Sequence, residues 1–238
     1  PYSLISNQMY FDGFKYHRNC VAIAFMNKSI LACSAAIFLC TPLASCDSSP
    51  DGPPEPSPQD LFFERMSLLC GKAYAGILVS DQEADADMAG KPMIMHATAC
   101  DLNEIQIPFH IAEGPDSWDR SRTWFITRSD QGLRLKHRHR HEDGSLDDVT
   151  NYGGDTVGEG TAGRQEFPVD AESIASFKAN GLDQSVTNVW AVEISPPGQS
   201  DAKFAYELRR PETSGGRHFR VEFDLSSPVP APPAPWGS

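Results

Sequence analysis

The sequence predicts an all-β domain in which about ten antiparallel strands form an up-and-down barrel or a strongly curved sheet, with one or two short helices. Three observations support this fold class. Apolar and polar residues alternate with a period of two along much of the chain, turn-forming sequences separate the alternating segments, and only two short stretches have helical character. Many sequential antiparallel strands joined by short turns are typical of up-and-down barrels.

The alternating segments define the strands. In a strand, successive side chains point to opposite faces, so a strict alternation predicts one buried and one solvated face. In chain order, strands are predicted at 72–80, 92–99, 104–111, 122–129, 133–142, 146–153, 163–168, 189–195, 203–209 and 218–225. Helices are predicted at 58–69 and at 171–179, the second with Asp170 as its N-cap.

The segments outside the strands divide the chain further. Residues 46–60 and 228–238 are rich in proline and almost free of apolar side chains other than proline and alanine. We interpret the first as an extended tether and the second as a disordered tail. The folded domain is therefore predicted to cover residues 61–227.

Residues 26–46 have the order of a secretion signal. A positive start at Met26-Asn27-Lys28 precedes a twelve-residue apolar stretch, and small residues then lead to a cysteine in Leu43-Ala44-Ser45-Cys46. These four residues resemble the lipobox of bacterial lipoproteins, which implies that Cys46 is acylated and becomes the new N-terminus. A plain secretory signal and a short membrane helix are the alternatives, although twelve apolar residues are too few to cross a core of about 30 Å.

The lipobox resemblance implies an arrangement for the N-terminal part of the chain. Residues 1–25 are expected to be a non-native segment upstream of a start at Met26, and residues 26–45 to be the removed signal. Asp47 resembles the inner-membrane retention signal of enteric bacteria. We therefore expect a protein of the bacterial cell envelope, anchored to a membrane by lipid and facing the periplasm.

The strand layout is similar to that of calycin barrels, the class that includes lipocalins and fatty-acid-binding proteins. The run from Leu69 to Gly76 (LCGKAYAG) resembles the way such barrels begin. The whole domain is also similar to a group of uncharacterised proteobacterial lipoproteins, and this likeness implies no particular activity.

Charge and cysteine content restrict the partners and the compartment. The net charge of −12 argues against nucleic acid, which needs a concentrated positive surface, and against broad contact with anionic lipid. Outside the signal and its cleavage site, the predicted mature chain has only Cys70 and Cys100. Because they flank two consecutive predicted strands of an exported domain, they are predicted to form a disulfide. Two buried free thiols are the alternative.

The segment from Leu133 to His141 is the strongest candidate for a functional site. In a strand, His137, His139 and His141 share a face with two leucines, so this face is predicted to point inward. Neighbouring histidines on one face, about 6.6 Å apart, can bind one metal ion, so a divalent metal is a candidate cofactor. Ligand contact without metal and a purely structural role are the other interpretations.

The following turn predicts which residues surround these histidines. Asp143-Gly144 is a hairpin signal, and a two- or four-residue loop pairs Arg140 with Asp147 and His139 with Asp148. On the inner face this register brings the histidines together with further candidate ligand-binding residues: Asp148, Thr150, Tyr152 and, from another strand, Trp124.

We expect a non-catalytic function, in which a membrane-tethered barrel binds a small ligand or an envelope protein. A metal- or histidine-dependent enzyme that uses the strand of His137, His139 and His141 is the first alternative. A structural envelope lipoprotein without a ligand is the second. A cavity lined by Trp124 or Tyr152 would favour binding, and convergence of three histidines would favour the enzyme.

Overall fold

The computed structural model describes residues 55–238, so the predicted signal, Cys46 and most of the predicted tether lie outside the described residues. Within this range the chain forms eleven strands and two α-helices. The helices are α1 (Pro58–Ser67) and α2 (Ala171–Ala179). The strands are β1 (Ala73–Leu78), β2 (Met93–His96), β3 (Ala99–Cys100), β4 (Glu104–Ala112), β5 (Trp118–Ser129), β6 (Gly132–His139), β7 (Tyr152–Asp155), β8 (Arg164–Pro168), β9 (Val189–Ile194), β10 (Lys203–Arg210) and β11 (Arg217–Val229).

All strands belong to one antiparallel sheet that curls into a nearly closed barrel. The order across the sheet is β7-β6-β5-β4-β2-β1-β11-β10-β9-β8, and the short β3 pairs with β4. Strands that are adjacent in this sheet also follow one another in the chain almost everywhere. The main exception is the pair of β1 and β11, which joins the first strand to the last. The predicted all-β, up-and-down fold class is therefore confirmed.

The two sheet ends, β7 and β8, meet along a short seam. One bridge joins Gly154 to Val169, and the amide of Asp170 donates to the carbonyl of Gly153 at 3.0 Å. A Cβ atom on Gly154 would lie 1.7 Å from the carbonyl oxygen of Pro168, so only glycine allows the two backbones to come this close. Gly154 therefore serves barrel closure.

Helix α1 closes one end of the barrel. Ser57 caps it in a capping box with Asp60, and Phe62, Phe63 and Met66 are buried in the core. The guanidinium of Arg128, near the end of β5, lies over the ring of Phe63 at 4.4 Å and pairs with Asp60. This helix begins at Pro58, three residues before the predicted domain boundary.

Helix α2 covers the seam from one side. It matches the prediction for 171–179, and the carboxylate of Asp170 caps it by accepting from the amide of Ser173. The ring of Phe177 lies 5.2 Å from that of Tyr152, which opens β7. The helix thereby supports the strand that forms one side of the barrel interior.

The predicted disulfide between Cys70 and Cys100 is confirmed. The two Cα atoms are 6.1 Å apart, and the bridge joins the end of the α1 segment to β3. As the sequence predicted, these cysteines lie before β1 and after β2, whose adjacent ends meet in the antiparallel pair. A crosslink between residues 30 apart stabilises a fold by about 3.5 kcal/mol on the chain-entropy model.

The predicted strand at 146–153 and its register are wrong. Arg140 forms a bridge with Leu146 instead of Asp147, and the residue opposite His137 is Tyr152. Extra residues between these two pairing points loop out of the ladder, and Asn151 takes a positive φ of 55°. Asparagine tolerates this conformation better than most residues, so the chain can bend at Asn151. The Asp-Gly turn fixes only the pairing beside it, and the pairing of β6 with β7 is set independently.

The predicted disorder of residues 228–238 is also wrong. Strand β11 continues to Val229, and the residues after it lie on the outer face of β4 and β5. The amide of Trp236 donates to the carbonyl of Arg120 at 3.2 Å, and Nε2 of His110 donates to the carbonyl of Pro233 at 2.9 Å. Proline pre-orders the segment, so it loses little entropy when it docks.

We predict that Phe62→Ala lowers the free energy of unfolding by about 3–5 kcal/mol, since it leaves a cavity where α1 closes the barrel. Leu68→Ala is the matched control, because Leu68 follows the same helix but is 52% exposed, and it should change stability by less than about 0.5 kcal/mol. Urea unfolding of both variants measures the difference. Equal losses would show that α1 is not part of the core.

Candidate binding site

A cavity of about 160 Å³ lies inside the barrel at the end opposite α1. Arg122 near the start of β5 lines it, whereas Arg128 near the other end of the same strand contacts α1. Four candidates from the sequence line this cavity: Trp124, His137, His139 and Tyr152. The remaining lining residues are Met88, Phe109, Arg122, Tyr206, Leu208, Arg217 and Phe219.

An aromatic stack forms one wall of the cavity. The indole of Trp124 lies between Phe109, with ring centres 4.9 Å apart, and Tyr206, with ring centres 4.5 Å apart, and the planes are nearly parallel in both pairs. Phe109 and Tyr206 belong to the inward alternations of β4 and β10, so the period of two brings these rings to the barrel interior. The stack makes this wall of the cavity aromatic and largely apolar.

The side chain of His137 reaches across the barrel interior from β6 to Tyr206 of β10. Its Nδ1 lies 3.0 Å from the carbonyl oxygen of Tyr152, which can only accept, so Nδ1 carries the proton. Nε2 is then the acceptor for the hydroxyl of Tyr206 at 2.8 Å. Burial lowers the pKa of His137 to about 3, and the ring is neutral at pH 7.

His139 and Tyr152 form a second pair, with Nε2 and the phenol oxygen 3.0 Å apart. Burial lowers the pKa of His139 to about 4 and raises the pKa of Tyr152 to about 12. Both groups are therefore uncharged at pH 7, and burial is the dominant cause in each case.

The loop between β1 and β2 covers the mouth of the cavity. Met88 of this loop lines the cavity, and Asp85, which is 1% exposed, accepts from Nη1 of Arg217 at 2.6 Å. Gln82 accepts from the same Nη1 at 2.8 Å. The second arginine of the cavity, Arg122, pairs with Asp119. Both cations of the cavity are thus neutralised by carboxylates.

The other candidates from the sequence lie outside the cavity. His141 and Asp148 are exposed. The Thr150 hydroxyl accepts from the amide of His139 at 2.8 Å and donates to its carbonyl at 3.1 Å, so it holds the backbone of the irregular segment. Their separation from the cavity follows from the residues that loop out between Leu146 and β7.

The predicted metal site of His137, His139 and His141 is not formed. Across residues 55–238 no three His, Cys, Asp or Glu side chains are placed to hold one metal ion. Both ring nitrogens of His137 are already used in hydrogen bonds, and His141 lies on the surface beyond the end of β6.

Sequence reasoning missed two kinds of cavity residue. Arg122, Tyr206 and Leu208 share the inward alternation of their strands, so extending the face analysis from β6 to its neighbours would have found them. The pair of Asp85 and Arg217 has no such signal, because a loop and a strand far apart in the chain provide it.

Comparison of the chain with protein-family models, with curated proteins and with solved structures found no match in any of the three. Within residues 55–238, neither helix has the length and apolar character needed to cross a membrane. The function must therefore be argued from the geometry of the site.

We predict that stability falls on mild acidification. His137 and His139 have a lower pKa in the folded protein than in the unfolded chain, so only the unfolded chain takes up their protons between about pH 6.5 and pH 4. The free energy of unfolding should be greatest above pH 6.5 and fall by ~1.4 kcal/mol per pH unit for each histidine below it.

Urea unfolding at pH 7, 6 and 5 measures this slope. His139→Gln should make the dependence of stability on pH less steep. The control is His141→Gln, which removes an exposed histidine two residues further along the chain and should leave this slope unchanged. A wild-type protein equally stable at pH 7 and pH 5 would contradict the burial of neutral imidazoles.

Proposed function

We propose that this protein is a non-catalytic binding protein of the bacterial envelope that holds a small, uncharged, planar molecule inside its barrel. The observation that carries the proposal is the aromatic stack of Phe109, Trp124 and Tyr206 beside two neutral histidines in one cavity. A structural protein without a ligand would be expected to fill this space with side chains.

The size of the cavity favours a ligand of about one ring. Its 160 Å³ is close to an apolar cavity of about 150 Å³ that accommodates benzene, and below the roughly 300–1,000 Å³ of sites for larger molecules. The paired state of Arg122 and Arg217 favours a neutral ligand, because an anion would have to compete with Asp119 and Asp85. The hydroxyl and imidazole groups of Tyr152 and His139 can hydrogen-bond one polar substituent.

Binding is favoured over catalysis by the pKa values of the site. A general acid or base works best with a pKa near the working pH. His139, with a pKa of about 4, and Tyr152, with a pKa of about 12, lie far on either side of neutrality. Both are suited to hold a ligand by neutral hydrogen bonds.

The proposed location rests on the sequence around Cys46. The charged start, the apolar run and the lipobox-like Leu43-Ala44-Ser45-Cys46 support lipid anchoring to a membrane, with the barrel in the periplasm. The disulfide between Cys70 and Cys100 is consistent with an oxidising compartment. An envelope protein remains the other class of partner in this proposal.

Phenol tests the cavity, and benzoate tests its preference for a neutral ring. We predict that phenol binds to the purified protein in calorimetric titration and that benzoate binds at least tenfold more weakly. Leu208→Phe should abolish phenol binding, because the larger side chain fills the cavity.

His139→Ala should weaken phenol binding, and His141→Ala is the control that removes an exposed histidine from the same segment. Thermal unfolding of each variant confirms that it is folded. Binding that survives Leu208→Phe, or no heat from phenol at millimolar concentration, would refute a ligand in this cavity.

We predict that Cys46→Ala abolishes acylation, since the thioether to lipid requires the cysteine sulfur. Metabolic labelling with a fatty acid and detergent-phase partitioning in a bacterial host measure the result. Cys40→Ala is the matched control, because Cys40 lies in the apolar run and should not affect labelling. An acylated, detergent-phase product from Cys46→Ala would overturn the proposed anchor.

A further inference from the structure

A second cavity lies outside the barrel, between the outer face of the sheet and the C-terminal segment. We call it the tail groove, and its volume is about 380 Å³. Strand residues form its floor, among them Gln106, Phe125, Arg138 and Arg140. Pro235 and Trp236 are among the residues of the C-terminal segment that form its side.

The tail groove carries positive charge that is not neutralised within residues 55–238. Arg138 and Arg140 lie on the outer face of the β6 segment, and neither has a carboxylate within 4 Å in this part of the chain. Arg134, on the same face, pairs with Asp155 through two hydrogen bonds of 2.7 and 3.0 Å. Unpaired arginines in one groove are notable in a chain with a net charge of −12.

Both guanidinium groups keep free donors. Arg138 lies over the ring of Phe125 at 4.1 Å, and its Nε donates to Asn151 at 3.3 Å. Arg140 donates from Nη1 to the carbonyl of Gly144 at 2.6 Å. Since a guanidinium has five N–H groups, most of them are available for an acceptor. The stack on Phe125 holds the Arg138 fork in place.

Trp236 contributes an aromatic side chain to the groove. Nε1 of Trp236 is buried and has no hydrogen-bond partner among residues 55–238. Because this nitrogen has no free surface, Trp236 can meet a ligand only with the carbon atoms of its ring. The indole also faces the groove with apolar surface.

We propose that the tail groove binds a small organic anion that has a flat apolar body. Arg138 and Arg140 would hold its carboxylate or phosphate, because guanidinium forks match the geometry of both groups. Phe125 and Trp236 would flank the apolar body, and the volume of 380 Å³ is within the range of sites for molecules larger than one ring.

The C-terminal segment is part of this site. It is fastened by the bonds of His110 to Pro233 at 2.9 Å and of Arg120 to Ala234 at 2.8 Å, both through backbone carbonyls. Prolines have no backbone N–H, so this proline-rich segment is held mainly through carbonyl groups that accept hydrogen bonds from the barrel. Removal of the segment should therefore open the groove without disturbing the barrel core.

The test uses 2-naphthoate and 2-naphthyl phosphate as probes, with 2-naphthamide as the neutral comparison. A two-ring probe exceeds the 160 Å³ of the barrel cavity, so this experiment succeeds or fails independently of the phenol experiment. By calorimetry at low salt, we expect at least one anion to bind at least tenfold more tightly than the amide. The stronger of the two anions identifies the group that the groove selects.

Variants locate the binding. Arg140→Gln and Trp236→Ala should each weaken the anion at least fivefold, and Arg138→Lys should weaken it less than Arg138→Gln. Arg134→Gln is the matched control on the same strand face and should leave the dissociation constant within twofold. Thermal unfolding midpoints show whether each variant is folded.

Several outcomes would overturn the proposal. The first is equal affinity for the anions and the amide. The second is a loss of anion affinity in Arg134→Gln as large as that in Arg140→Gln. The third is no binding of any probe at millimolar concentration. If the groove instead receives a proline-rich segment of a second copy, light scattering will show dimers that dissociate when residues 230–238 are deleted, and this too would overturn it.

Discussion

Side chains from opposite walls meet in the middle of the barrel, and the hydrogen bond between His137 and Tyr206 is the centre of this contact. The two residues come from β6 and β10, which lie far apart in the sheet order. A barrel of this many strands encloses more space than aliphatic side chains fill easily. Aromatic rings stacked on Trp124 fill most of it and leave the small cavity at the mouth.

This central contact also explains the unusual histidine. A buried imidazole without partners would be costly, but His137 uses both nitrogens, one on a backbone carbonyl and one on a phenol. Because both nitrogens are used in this buried position, neither is available to bind a metal ion. The histidine run is therefore partly core and partly surface, and its members do not act as a set.

The sequence predicts the inward faces of the strands well, and it predicts their pairing less well. Ile105, Ile107 and Phe109 are buried as their alternation indicated, because a one-residue slip would expose all of them. The turn at Asp143-Gly144 predicts the wrong register for the return strand, since residues that loop out before β7 leave no periodic signal. That register would put Asp148 in the cavity, whereas its side chain lies on the surface.

On the outer faces of the strands, the alternation of polar and apolar residues does not predict which side chains are buried. His110 falls on the polar side of β4 by pattern, yet it is fully buried, because the C-terminal segment covers it. The apolar Phe125 on an outer face and the single Trp236 after a run of prolines are the two signals of this contact. Neither residue indicates this docking by itself in the sequence, and the structure places both along the tail groove.

The two outer regions of the barrel differ in how they balance charge. On β8 to β11, Arg164 and Arg220 each contact both Glu193 and Glu207, so cations and anions alternate across the strands. These pairs are partly exposed and contribute little stability each. Around Arg138 and Arg140, at the end of β6, no carboxylate lies within 4 Å among residues 55–238, and these guanidinium groups contact the side chain of Asn151 and the carbonyl of Gly144 instead.

The two ends of the barrel differ in how they are filled. The chain enters the domain at Ser57 and α1, where Gln59 contacts Thr156 and Asp60 contacts Arg128. The cavity mouth, with Arg122 and the loop of Met88, lies at the other end. Helix α1 packs Phe62 and Met66 into the barrel at its own end, so the space left for a ligand lies at the end that α1 does not cover.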